Sequence, residues 1–378
     1  MQLFWGASCK KEHDTCGHPL VDVPVVGALA APQGYVATRV LDGLVRPTML
    51  AFDDRGRLFI LEGSPYGDGK SVRVFRAADR VELSRVTIAT SGESTGILAM
   101  PDGGGLFVAS RGRVDFHREF PDGSGFASGD AGEAVVTGLP NGWHTNNNLR
   151  QGPDGRVYFG IGATCDVCTE SDPLSATIVR FDPNAARPVA PEVFARGLRN
   201  VYDLTFTDAG DLIATDNGPE CCEPSAECLG DAPDRVVVVR EGAHYGWPYL
   251  QQASGVPANV TVSPWIANTP KHVGITGIVE YQGSQLCRDR GNLFATYWGT
   301  EHAESETGRQ VVRIRLLRDG GAIAGATLEP FLGQSGLGHP IAVAVGPDGA
   351  LYVLDYQGFL VRVASVDANG NEVPDLCE

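Results

Sequence analysis

Four stretches carry residues with chemical uses. NGWHTNNN holds His144, directly after Trp143 and just ahead of Asn146, Asn147 and Asn148. A ring that titrates near neutrality is suited to take a hydroxyl proton as a general base. The asparagine amides add donors and acceptors without charge, which suits a polyhydroxylated ligand and equally suits an ordered loop, with the histidine bonded to its own backbone. ARGLRNVYDLTF places Arg199 and Asn200 just before an apolar run. A guanidinium there offers a rigid set of donors to a carboxylate or to developing oxyanion charge; with 46 acidic residues in the chain, a structural salt bridge is the alternative. TDNGPE offers the backbone carbonyls of Gly218 and Pro219, with Asp216, Glu220, Asp231 and Asp234 nearby. Oxygen donors of this kind suit calcium, although no EF-hand spacing is present. Arg111, Lys271, Glu301 and His302 are further polar candidates, and HYGWPY serves packing or recognition equally well. No G-x-S-x-G elbow, Rossmann fingerprint or P-loop occurs.

The fourth stretch is TCDVCTESDP, with Cys165 and Cys168. The pair reads as half a zinc site, as a thioredoxin-like dithiol or as a short structural disulfide. No second close-spaced pair lies at zinc-site spacing, and the setting reads as loop rather than a helix start after a strand. The expectation is therefore a Cys165–Cys168 disulfide, with Cys9–Cys16 as a second short-loop pair and the 221–222 cysteines available for a longer bridge. Nine cysteines point to an oxidising compartment, periplasmic or extracellular, and leave at least one unpaired in a monomer.

The elements that must position these residues announce themselves by repetition. FDDRGRLFILEG, MPDGGGLFVASRG, GPDGRVYFGIG, FTDAGDLIATDNG, CRDRGNLFATYWG and GPDGALYVLDYQG each join an Asx/Gly turn to a buried-strand pattern. Their glycines, Gly56, Gly103, Gly155, Gly210, Gly291 and Gly349, are 47, 52, 55, 81 and 58 residues apart. A further apolar run follows most copies, as in ATIVRFD and DRVVVVREG. Six copies at this period predict an all-β, six-bladed β-propeller with short antiparallel four-stranded blades. The expected domain runs from 30 to 370, between an extension at 1–29 and a tail at 371–378. GYVATRV and FLVRVAS are expected to share the closing blade, since ring closure protects strand edges. The widest gap holds an insertion around 245–280, a wall for the top of the channel. In a propeller the loops at one end of the inner strands converge, so His144, Arg199, Asn200, Asn217, Gly218, Trp298 and His339 are expected to meet.

Composition narrows the partners. A net charge of -16 disfavours nucleic acid and anionic membranes. No apolar run is long enough to span a bilayer, and MQLFWGASCKK lacks the form of a signal peptide.

Over residues 40–365 the chain resembles the soluble quinoprotein glucose and sorbosone dehydrogenases, six-bladed propellers that bind pyrroloquinoline quinone (PQQ) over calcium. The resemblance lies in GLPNGWHTNNNLRQGPDGRVYFGIGATCDVCTESDP, VFARGLRNVYDLTF, DLIATDNGP, GAHYGWPY and HPIAVAVGPDGALYVLD, in that order, and the cysteine-containing piece looks like the sorbosone branch. It implies oxidation of an aldose, a sorbosone-like sugar or a related polyol, with an unidentified electron acceptor as partner. His144 would remove the hydroxyl proton as hydride passes to the quinone, and Arg199 would stabilise the negative charge that develops. Arg199, Asn200, Asn217 and His339 would hold PQQ; Gly218, Pro219 and Asp234 would hold Ca2+. The chain departs from the family at Arg235 in place of a glutamate ligand, at Val237 in place of asparagine, at His339 in place of arginine and at Ala342 in place of aspartate. TYWGTEHAESETG also lacks the family's basic residue. Two other readings remain: a lactonase-type metal-dependent hydrolase using Glu62, Asn147, Asn200 and Asp216, and a sugar-binding propeller that has lost PQQ.

Overall fold

The computed structural model describes residues 25, 27–63, 70–90, 92–100, 104–123, 125–126, 132–220, 225–299, 308–369 and 375–377. Cys9, Cys16, the 221–222 cysteines, Glu301, His302 and most of the two terminal segments lie outside them. Gly103 also lies outside the described residues; the other five Asx/Gly turns reverse the chain through a glycine at positive φ, from +71° at Gly56 to +83° at Gly210, a conformation that only glycine adopts freely. Strands on both sides of the turn then pair antiparallel.

The first blade is β2 (Met49–Phe52), β3 (Arg57–Glu62), β4 (Ser71–Arg76) and β5 (Glu82–Thr87). The second is β6 (Ser94–Ala99), β7 (Gly105–Ser110), β8 (Arg113–Arg118) and β9 (Glu133–Thr137). The third is β10 (Asn146–Gln151), β11 (Val157–Ile161), β12 (Thr177–Phe181) and β13 (Glu192–Arg196). The fourth is β14 (Val201–Phe206), β15 (Leu212–Asp216), β16 (Arg235–Val239) and the short β17 (Ala267–Asn268). The fifth is β18 (Ile275–Glu280), β19 (Leu293–Tyr297), β20 (Gln310–Asp319) and β21 (Ala322–Leu332). The sixth is β22 (Pro340–Val345), β23 (Leu351–Asp355), β24 (Phe359–Ser365) and β1 (Tyr35–Leu41), so the chain's first strand closes its last blade. Among the described residues, helix is limited to three short 3-10 turns. None is long and apolar enough to cross a membrane.

The inner strands touch in a ring, β2 to β6, β10, β14, β18, β22 and back to β2. The repeated phrases supply the second strand of each blade, not the innermost. The inner strand is the one before the turn; it is polar in NNNLRQ of β10 and apolar in MLAF of β2 and PIAVAV of β22. Close packing of neighbouring blades demands small residues there: a Cβ on Gly96 would lie 2.7 Å from Asn147 O, and one on Gly277 2.6 Å from Ala342 Cα. The middle of the channel is filled by Tyr202, fully buried, whose O–H crosses from blade four to the carbonyl of Thr48 at the opposite blade (2.9 Å).

Cys165 is bonded to Cys168, and Cys287 to Cys377. Cys228 is disulfide-bonded as well.

Candidate active site at the channel end

The start of every inner strand and the end of every second strand lie on one face of the ring. Backbone bonds lace this face together. His144 N–H donates to Ala163 O (3.0 Å), Ala163 N–H to Arg199 O (2.8 Å), and Asn217 N–H to Asn200 O (3.0 Å). His144, at the entry to β10, and Arg199, at the entry to β14, are thereby held through a shared neighbour. Gly162 makes room for the ring: a Cβ there would sit 2.3 Å from His144 Cβ.

His144 is buried, and among the described residues its Nε2 has no hydrogen-bond partner. Burial pushes its pKa well below the usual histidine range, and the charges of Arg199 and then Arg111 push it further down. The imidazole is therefore neutral at physiological pH, the form a base requires. Arg199 is 1% exposed. It donates from Nη2 to Asp166 Oδ1 (2.6 Å), from Nε to Asp166 O (3.1 Å) and, at a long 3.5 Å, from Nη1 to Asn217 O. Arg111 pairs with Glu93 and donates to Gly142 O at 2.7 Å, beside the histidine loop.

The asparagines form an amide relay across three blades. Asn147 Nδ2 donates to Asn200 Oδ1 (2.8 Å), Asn200 Nδ2 to Asn217 Oδ1 (3.0 Å), and Asn217 Nδ2 to Ile275 O (2.7 Å). The amides of Asn200 and Asn217 are thus engaged within the protein. His339 is buried, stacks on Trp298 with ring centroids 4.5 Å apart and places Nδ1 3.1 Å from Trp298 O. Trp298 Nε1 and Tyr297 Oη are buried without a partner among the described residues. The Tyr297 hydroxyl is pushed upward by burial and by the charge of Asp234.

Gly218, Pro219 and Asp234 meet around a cavity of about 10 Å³, room for one water-sized species. Asp234 accepts from Gly218 N–H (2.8 Å) and Ile275 N–H (2.7 Å), and burial raises its pKa despite those bonds. The backbone packs so closely that a Cβ on Gly218 would meet Ala232 O at 2.4 Å and Pro233 O at 2.7 Å. Carboxylate and carbonyl oxygens are the donors a hard divalent cation takes; both Asp234 oxygens here also accept backbone N–H bonds. At the cavity's rim His272 lies 3.6 Å from Glu220 and 3.1 Å from Asp231. Asp216 does not join the cluster. It pairs with Arg235, which also donates to Tyr245 O (2.7 Å), so this arginine folds back into its own blade. Glu62 is likewise engaged, by Val45 N–H, Ser71 and Arg73.

Residues 28–366 match a family described as a domain of unknown function, DUF7133. The chain belongs to that family. No curated protein matches the sequence. Solved structures share the ring. The holo PQQ domain of pyranose dehydrogenase from Coprinopsis cinerea superposes with a TM-score of 0.68 at 16% identity, over 89% of this chain and 97% of that one. The PQQ-bound aldose sugar dehydrogenase of Streptomyces coelicolor gives 0.64 at 20%, over 89% and 99%. A calcium structure of the family AA12 carbohydrate-active enzyme of Trichoderma reesei gives 0.68 at 14%, over 92% and 99%. At these identities the likeness establishes the propeller for this DUF7133 member.

Sequence reasoning missed Asp166, which sits inside the disulfide loop, and Tyr202, which reads as one more apolar strand residue. It also left Trp247 undecided. The structure directs Trp247 Nε1 to Asp166 O (3.2 Å), beside a cavity of about 280 Å³ that Trp247 lines with Arg199, Pro219, Leu250 and Trp265.

Proposed function

We propose that this propeller is a PQQ- and calcium-dependent sugar oxidoreductase, acting in the periplasm or outside the cell on an aldose, a sorbosone-like sugar or a related polyol. The observation that carries the reading is the buried Nε2 of His144, neutral and without a partner among the described residues, beside a fixed arginine at the end of the channel. The donor chemistry suits the cofactors: an oxygen-rich turn at Gly218, Pro219 and Asp234 for calcium, and Arg199 and His339 for the anionic quinone. When bound, PQQ would supply a two-electron hydride acceptor, and calcium a Lewis acid.

His144 Nε2 takes the proton of the substrate hydroxyl, leaving the O–H electron pair on oxygen, where it forms the C=O bond as the carbinol C–H bond breaks and releases hydride. Arg199 contributes a positive charge that does not need to reorganise as negative charge develops. Asn147, Asn200 and Asn217 act through their relay, fixing the entries of β10, β14 and β18 relative to one another. The disulfides fit an oxidising compartment.

His144→Ala is expected to lower PQQ- and calcium-dependent dye reduction by roughly 10²–10⁴-fold at equal cofactor occupancy. Turnover at the wild-type level would remove the histidine from the reaction. A second reading, a sugar-binding propeller without PQQ, draws on the engaged amides of Asn200 and Asn217. Failure of PQQ to bind in the presence of calcium, with retained sugar binding, would favour it.

A further inference from the structure

We propose that Asp166 is the positioning residue for Arg199, and that the Cys165–Cys168 disulfide serves to hold it in place. A buried guanidinium needs a counter-ion and a fixed set of acceptors. Asp166 provides both from one residue. Its carboxylate takes Nη2 at 2.6 Å and its backbone carbonyl takes Nε at 3.1 Å. One edge of the guanidinium is thereby occupied, and Nη1, with only a 3.5 Å contact to Asn217 O, is left as the edge that can meet a ligand.

The loop that carries Asp166 is held at several points. The Cys165–Cys168 bond closes it, Trp247 Nε1 donates to the Asp166 carbonyl (3.2 Å), and Glu220 N–H reaches Asp166 Oδ1 (3.3 Å). Glu170 secures its approach by accepting from both N–H and Oγ1 of Thr164, each at 2.7 Å. The covalent tie removes the freedom of the two intervening residues, so the counter-ion cannot swing away and take the guanidinium with it. The same residue also links the arginine to the loop that bears Gly218 and Pro219. The inference rests on the reading of Arg199 as the cation of the proposed reaction, but its test needs neither PQQ nor turnover.

Arg150 supplies an internal control. It has the same pattern of bonds, Nε to Leu204 O at 2.9 Å and Nη2 to Asp203 Oδ2 at 2.9 Å, with no disulfide loop among these partners. Hydrogen exchange at both Nε–H groups can be followed by nitrogen-15 NMR, with Arg199→Lys and Arg150→Lys assigning the signals. In a Cys165→Ser, Cys168→Ser double variant, exchange at Arg199 is expected to accelerate at least about tenfold relative to Arg150. Asp166→Asn, which keeps the disulfide, is expected to accelerate Arg199 selectively as well, and it decides the matter should the double variant not fold. Restoration of the carboxylate in Asp166→Glu should recover part of the protection. Equal acceleration at the two arginines, or none at Arg199, would overturn the proposal and leave the disulfide a general staple.

Discussion

At the scale of the residue, His144 sets a pH dependence whose sign is fixed by its surroundings. Burial and the charges of Arg199 and Arg111 lower its folded-state pKa, while in the unfolded chain it titrates near about 6.5. Between those two values the unfolded chain binds more protons. Stability is therefore fully present above about pH 6.5 and is lost as pH falls toward the folded value. Asp355 works in the opposite direction: burial pushes its carboxyl up to about 6, so the folded state takes up a proton first as pH falls through that value. A difference measurement separates the two. The melting temperature of the wild type is expected to fall more steeply below about pH 6.5 than that of His144→Gln, which cannot charge. Parallel profiles would mean that His144 is not held neutral. For the same reason the acid limb of turnover should lie below the ordinary histidine range, further to the acid side than an unperturbed ring would place it.

At the scale of the element, the site depends on how closely the end of β11 passes the entry to β10. Gly162 has no room for a side chain: an added Cβ would lie 2.3 Å from His144 Cβ and 3.0 Å from Asn200 Oδ1. Gly162→Ala is expected to cost about 1–3 kcal/mol in denaturant unfolding and to lower activity by displacing the imidazole. An unchanged unfolding midpoint would show that the two strand ends can separate freely. The sequence made much of this arrangement readable. Turn glycines recur at blade-like spacing because every blade needs the same reversal, and this yields six blades and the shared closing blade. His144 and Arg199 were found because both stand immediately before inner strands. The inner strand after His144 was hidden, because NNNLRQ lacks the apolar pattern of the other inner strands and resembles a loop until β11 pairs with it. Asp166 was hidden for another reason. Its partner Arg199 is 33 residues away, and nothing in the local pattern of a cysteine pair states what the enclosed residues touch.

At the scale of the whole molecule, the ring must close on itself, and it does so in two ways. β1 completes the last blade by pairing along β24, from Tyr35 opposite Ser365 to Leu41 opposite Leu360. The Cys287–Cys377 disulfide then joins the short turn before β19, in blade five, to the C-terminal segment that follows the last blade, across a sequence separation of 90. Tyr35 O–H donates to Asp289 (2.6 Å) and Arg288 Nε to Leu376 O (3.0 Å), so the closing strand, the fifth blade and the tail meet at one seam. A propeller without such a seam can open by peeling its terminal strand, which exposes a free sheet edge. In the chain-entropy account, a cross-link over a loop of this length stabilises by about 4–5 kcal/mol, with measured values often smaller. Cys287→Ser, Cys377→Ser is therefore expected to lower the unfolding free energy by about 2–4 kcal/mol. Hydrogen exchange should accelerate first in β1 and β24, ahead of the inner strands around His144. Uniform acceleration over all six blades would place the weak point elsewhere, because it would mean that the ring loses its blades together and not from the seam.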